Sequence, residues 1–140
     1  MSSGLSGAYR SAEAALSQEP DLPIHLADSR GASLLQGLLV LKATELAELA
    51  VPANEIVKEL ARIRDQSGIM FTIEKFDRLL ASGRVSRSKA FFGTLLNLKP
   101  ILAIDREGKV VPRATAIGRK RVILALLDAM AEDMGCVPET

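Results

Sequence analysis

Four groups of residues in this 140-residue sequence could do chemistry: a Ser/Gly segment at the N-terminus, the lone His25, the lone Cys136, and a basic run in the second half. The segment SSGLSGAY stands directly before YRSAEAALSQE, whose Ala, Leu, Glu and Arg favour helix. A helix start offers free N–H groups and the positive end of the dipole to an oxygen anion. Ser6 could donate its hydroxyl there, and Gly7, lacking a side chain, would let backbone N–H approach closely. The plainer reading makes Ser6 only a helix cap. GLSGA also falls one residue short of a GxSxG nucleophile elbow, but no strand is expected ahead of Ser6. The sole histidine, His25, sits in a predicted strand upstream of Asp28 as a structural residue. One His and one Cys far apart make no metal-ligand set, and a single cysteine forms no internal disulfide. The sequence therefore predicts no catalytic residue, metal or cofactor.

The basic run extends from Arg84 to Arg121 and holds ten Lys or Arg against Asp105 and Glu107, a net of +8 in a chain whose total is +1. Three readings are open: solvated helix faces, nucleic-acid binding, and docking of an acidic partner. Nucleic acid is disfavoured, because the chain has no Trp and five aromatics, two of which, Phe91 and Phe92, are expected in the core. Within the run, Arg84, Arg87, Arg119 and Lys120 are the residues chosen as a partner-docking or phosphate-facing patch. Arg119 and Lys120 stand at the start of a predicted helix, where cations oppose the dipole.

These residues need elements to place them. With 48% hydrophobic and 25% charged residues the composition is that of a globular protein, one domain in size or a piece of a larger one. Its apolar runs, such as Leu38 to Leu41, are far short of the roughly 20 residues of a membrane span. The expectation is a soluble, cytoplasmic protein.

Pro20 and Pro23 should end the first helix, and PIHLAD then reads as a short strand through Ile24, Leu26 and Ala27. LLQGLLVLKATELAEL, from Leu34 to Leu49, is apolar around most of its circumference and should be buried on more than one side. ANEIVKELARIRDQ sets Ile56, Val57, Leu60 and Ile63 on one face of a surface helix. IMFTI is a strand, and a short helix follows it through Leu79 and Leu80 to Gly83. A helix over RSKAFFGTLLNL capped by Ser86, then a hairpin of ILAID and KVVPRAT with Glu107 and Gly108 near its tip, lead to a last helix over Ile117–Glu132. That helix should carry Val122, Ile123, Leu126, Leu127 and Met130 on one buried face. The fold class is α/β, with an α+β second half, helix-rich with about four strands and a division near Ser67 to Phe71. So few strands leave apolar helix faces without a full partner layer.

Taken in order, SSGLSGAYRSA, HLADSRGASLLQGLLVL, FDRLLASGRVSRSKAFFGTLLNLKPILAID and the GRKR of AIGRKR resemble the DegV family, whose pattern reads SSxLSGTYQSA, DSxSAS, GGRI followed by LGxLLxxKPIL, and GRKKA. The resemblance implies a two-domain α/β fold truncated at both ends. Residues 1–67 would be the end of the first domain and residues 68–140 the start of the second. It implies non-covalent binding of a long-chain fatty acid such as palmitate and its presentation to a fatty acid kinase, a dihydroxyacetone-kinase-like subunit, with no catalysis by the carrier itself. Ser6 and Gly7 would hold the carboxylate. The acyl chain would run against the Leu34–Leu41 helix and Phe91, Phe92, Leu95 and Leu96. A further Ser or Thr and a His that complete the head-group site in the family match no position of this chain. The chain departs from the pattern at Ala8, which loses a hydroxyl, at Ser82 in place of a Gly, and at Lys75 in a usually apolar stretch. The alternative function is a protein or nucleic-acid interaction module built on the basic stretch 84–121.

Overall fold

The computed structural model describes residues 1–74, 77–85 and 98–135. The expected helix over 87–98, with Arg87, Phe91, Phe92, Leu95 and Leu96, lies outside them except for Leu98, and Ser86, Lys75 and Cys136 lie outside as well. The chain packs as two compact units, one of residues 1–69 with 104–109, the other of residues 70–103 with 110–140.

The first unit holds helices α1 (Ala8–Leu16), α2 (Ser33–Glu48) and α3 (Ala53–Asp65). The last two pack against each other, and Leu35, Leu39 and Leu60 are buried. The linker between them is short because Ala50 turns the chain in a left-handed conformation, a place more often given to Gly or Asn. α3 is the surface helix its pattern predicts, with Leu60 inward and Ile56, Val57 and Ile63 half-buried.

Two expectations fail in this unit. No strand forms over Ile24–Ala27: a strand exists only as a hydrogen-bonded ladder, and among the described residues no backbone pairs with this segment. Nor is α2 buried on several sides. Its one packing partner among the described elements is α3, so Leu34, Leu38 and Leu41 stand exposed despite their type.

The second unit is a three-stranded sheet in the order β1 (Met70–Thr72), β2 (Lys99–Ile104), β3 (Val110–Ala116), with helix α4 (Asp77–Ala81) after β1 and helix α5 (Arg119–Asp133) packed on β1 and β3. β1 runs antiparallel to β2, with Met70 opposite Ala103 and Thr72 opposite Ile101. Pro100 therefore lies beyond this ladder, near the start of the central strand, where a missing N–H does least harm. Ile101 and Leu102 are fully buried. Three strands stand among the described residues, against the four expected. The hairpin is as read from its turn residues: Asp105 accepts the N–H groups of Glu107 and Lys109, and Gly108 takes φ +77°.

α5 buries Val122 and Ala129, while Ile123, Leu127 and Met130 of its expected inner face stay about half exposed. The helix is turned so that its small and β-branched residues meet the sheet. Arg113 of β3 donates to Asp133 of α5.

Candidate functional site

Ser6 and Gly7 begin α1, but not as a simple cap. Gly7 occupies the N-cap position, and its carbonyl accepts the Ser11 N–H at 2.9 Å. Ser6, one residue earlier and half-buried, accepts the Ala8 N–H on Oγ at 3.2 Å. That bond uses the oxygen and leaves the hydroxyl proton to give. Gly7 has an ordinary φ of −66°, and a Cβ built on it would meet nothing within 4 Å, so packing inside this chain does not demand glycine there.

The two serines ahead of Ser6 are tied down more firmly. Ser2 is fully buried and donates Oγ–H to the carbonyl of Gly108 at 2.9 Å, across 106 residues. Cβ atoms at Gly4 and Gly108 would clash with hairpin-tip carbonyls and with Ser2 Oγ, so both glycines are needed for this close approach. Ser3 donates its N–H at 3.0 Å and its hydroxyl to the two oxygens of Asp28, which also accepts the Arg30 N–H at 3.0 Å.

Arg30 and Ser33 take φ of +39° and +53°, a region that costs roughly 1–3 kcal/mol for such residues. The Asp28 bonds hold the first of them. Burial by itself would raise the Asp28 pKa, yet the Ser3 and Arg30 hydrogen bonds and the Arg30 charge together outweigh it and hold the carboxyl below its usual value. Arg30 also reaches the Arg106 carbonyl at 3.4 Å, and Arg64 donates to the Asp28 carbonyl at 3.1 Å.

Beside this knot lies an open cleft of about 860 Å³ within the first unit. One wall is apolar, from Leu39, Val40 and Ala43 of α2 and Ile56, Val57 and Leu60 of α3. The polar part of the lining is Ser3, Tyr9, Arg10, Glu13, His25, Asp28 and Arg30, with Gln36 of α2 and Arg64 of α3. Burial, then the nearby Glu13 and Asp28 carboxylates, push the Tyr9 hydroxyl up, so it remains a neutral donor. Its size falls in the range of small-molecule sites. Ser6 and Gly7 do not line this cleft; Ser3 and Tyr9, on either side of them in sequence, do. His25 stands exposed at the rim rather than in a strand. Of the apolar residues expected along the acyl chain, Leu39 and Val40 line the cleft, whereas Leu34, Leu38 and Leu41 do not.

A family model described as "uncharacterised protein, DegV family" matches residues 1–135. The chain belongs to the DegV family. A DegV domain-containing protein of Staphylococcus aureus (strain N315) is 32% identical over 126 residues, which are 90% of this chain and 43% of that protein. The solved DegV-family protein of Thermus thermophilus, described by its fatty acid binding, is 36% identical with a TM-score of 0.84 over 95% of this chain and 47% of that one. DegV of Bacillus subtilis, described as a fatty acid binding protein, is 35% identical with a TM-score of 0.79 over 94% of this chain and 47% of its own. The chain spans about half the length of the DegV relatives it matches.

Of the residues chosen for partner docking, Arg84 is not brought beside Arg119 and Lys120. Val85 bridges to Val110, so Arg84 stands near the start of β3. Arg119 and Lys120 follow its far end, and six residue steps along the strand make about 20 Å between them. Arg87 lies outside the described residues. Elsewhere in the run, Lys99 pairs with Glu74, Lys109 with Glu107 and Arg113 with Asp133. Among the described residues, Arg84, Arg119 and Lys120 have no acidic partner, no three His, Cys, Asp or Glu come together as metal ligands, and no helix is long and apolar enough to cross a membrane.

The Ser2–Gly108 and Ser3–Asp28 bonds were not read from the sequence. The signal for them was present in SSG and DSRG, short polar residues with glycine, but nothing in a linear reading joins residue 2 to residue 108.

Proposed function

We propose that this chain forms half of a carrier that binds one long-chain fatty acid without covalent chemistry. The observation that carries the reading is the cleft of the first unit, lined by apolar residues of α2 and α3 together with polar side chains, in a family whose solved members are described as binding fatty acids. Residues 1–67 would end the first α/β domain of the complete protein, and residues 68–140 would open the second.

Burying about ten methylenes at roughly 0.8 kcal/mol each supplies about 8 kcal/mol before the costs of ordering. The carboxylate would take the free Ser6 proton and the N–H groups at the start of α1, with Gly7 leaving room for it. Its other donors would come from parts of the family pattern that this chain does not match. In this reading the carrier needs no cofactor, holds no metal, and works in the cytoplasm. It offers the bound acid to a fatty acid kinase of the dihydroxyacetone-kinase-like type.

Arg119 and Lys120, cationic at a helix start, are the better candidates for kinase docking, with Arg84 and Arg87 as a separate contact. If so, Arg119→Glu in the complete protein should slow acyl phosphate formation at least fivefold, more at low salt, while fatty-acid affinity stays the same. Unchanged phosphorylation at both salt concentrations would leave Arg119 a solvated charge. The interaction-module alternative is weaker, because among the described residues three of the basic residues are already paired with acids and Arg84 stands at the other end of β3 from Arg119 and Lys120.

A further inference from the structure

Helix α5 carries its charges in the order that its dipole disfavours. Arg119, Lys120 and Arg121 open it, and Asp128, Glu132 and Asp133 follow in its second half, whereas a helix by itself is stabilised by acids at its start and bases at its end. Asp133 is accounted for by Arg113. Arg121 and Asp128 are not: among the described residues neither has an ion-pair partner. They stand two turns and about 10 Å apart, so both lie on one side of the helix.

That side borders an open groove of about 400 Å³ within the second unit, lined from β3 by Thr115 and Ala116 and from α5 by Arg121, Leu124, Ala125 and Asp128. Leu124 is exposed there, and with Ala125 it falls midway between the two charges. A surface with a cation and an anion at equal distances on either side of an apolar centre is complementary to itself under a two-fold rotation. Two such helices packed antiparallel set Arg121 of each against Asp128 of the other, and Leu124 against the small Ala125. A parallel pairing opposes like charges instead.

We propose that this side of α5 is the contact between two copies of the chain, paired antiparallel about an axis between Leu124 and Ala125. Two ion pairs then close the ends of one apolar contact, and the charge order that opposes the dipole is compensated by the partner. The inference is independent of the lipid reading, since it concerns only the second unit.

Sedimentation velocity of the 140-residue chain under reducing conditions should show a dimer that weakens as salt is raised. Arg121→Asp and Asp128→Arg should each weaken it at least tenfold, because both pairs turn from attraction to repulsion. Each change follows the dipole, so α5 of the free chain should be no less stable by circular dichroism. The two variants mixed in equal amounts, and the chain carrying both changes, should each restore association to within about threefold of the parent, since opposite charges meet again. Met130→Glu, two residues from Asp128 and so on another side of the helix, should leave the dimer unchanged. A monomer, an association that neither reversal weakens, or reversals that neither the mixture nor the double variant rescues, overturns the proposal. So does loss of the dimer when the rest of the B. subtilis protein is added as a separate polypeptide, because that half would then be the occupant of this side.

Discussion

At Asp28 a single carboxylate receives three hydrogen bonds and holds Arg30 in its left-handed conformation. Its folded pKa lies below the usual 3.8, so its contribution to stability is present above that value and is lost as pH falls through the lower, folded pKa. Acid unfolding followed by circular dichroism should therefore show that Asp28→Asn, which keeps shape and loses charge, costs about 1–3 kcal/mol at pH 7 and much less at the acid limit. An equal loss at both pH values would mean that shape rather than charge holds the loop. Ser6 has a different task, because its oxygen is used by Ala8 N–H while its proton is not. Ser6→Ala in the complete protein should lower fatty-acid affinity by about 1–3 kcal/mol, measured by calorimetry; equal affinity would remove Ser6 from the head-group site. The helix start at Ser6 and Gly7 was legible from residue types alone. The Asp28 knot was not, since Ser3 and Arg64 lie 25 and 36 residues from Asp28 and only the folded chain brings them together.

Helices α1 to α5 and the β2–β3 hairpin were legible in periodicity and turn residues, because those signals are local. The faces that the helices bury were less so. α2 is apolar all round, so its sequence cannot distinguish Leu39, buried against α3, from Leu41, which stands 71% exposed. The structure makes the distinction testable: Leu39→Ala should cost about 2–5 kcal/mol in chemical denaturation, while Leu41→Glu should change stability by no more than about 0.5 kcal/mol. A large loss at Leu41 would show that its face is already covered in the chain as isolated. The expected strand over Ile24–Ala27 failed for a related reason, since alternation marks a segment that can pair without supplying the partner.

At the scale of the molecule, the described residues show two units, three strands and several uncovered apolar helix faces, in a sequence that matches about half of its relatives' length. Exposed apolar surface of this kind favours association. Sedimentation of the 140-residue chain alone should show dimers or larger species, and palmitate should bind it weakly; a monomer with a sharp unfolding transition and micromolar affinity would contradict that expectation. The most direct test of the carrier reading is made on B. subtilis DegV with its matched half replaced by this chain. The chimera, first shown to unfold cooperatively, is denatured and extracted with organic solvent, and its lipids are quantified by mass spectrometry. About one equivalent of long-chain fatty acid per protein is predicted. A folded chimera that carries none, and takes up none when offered palmitate, would contradict the account.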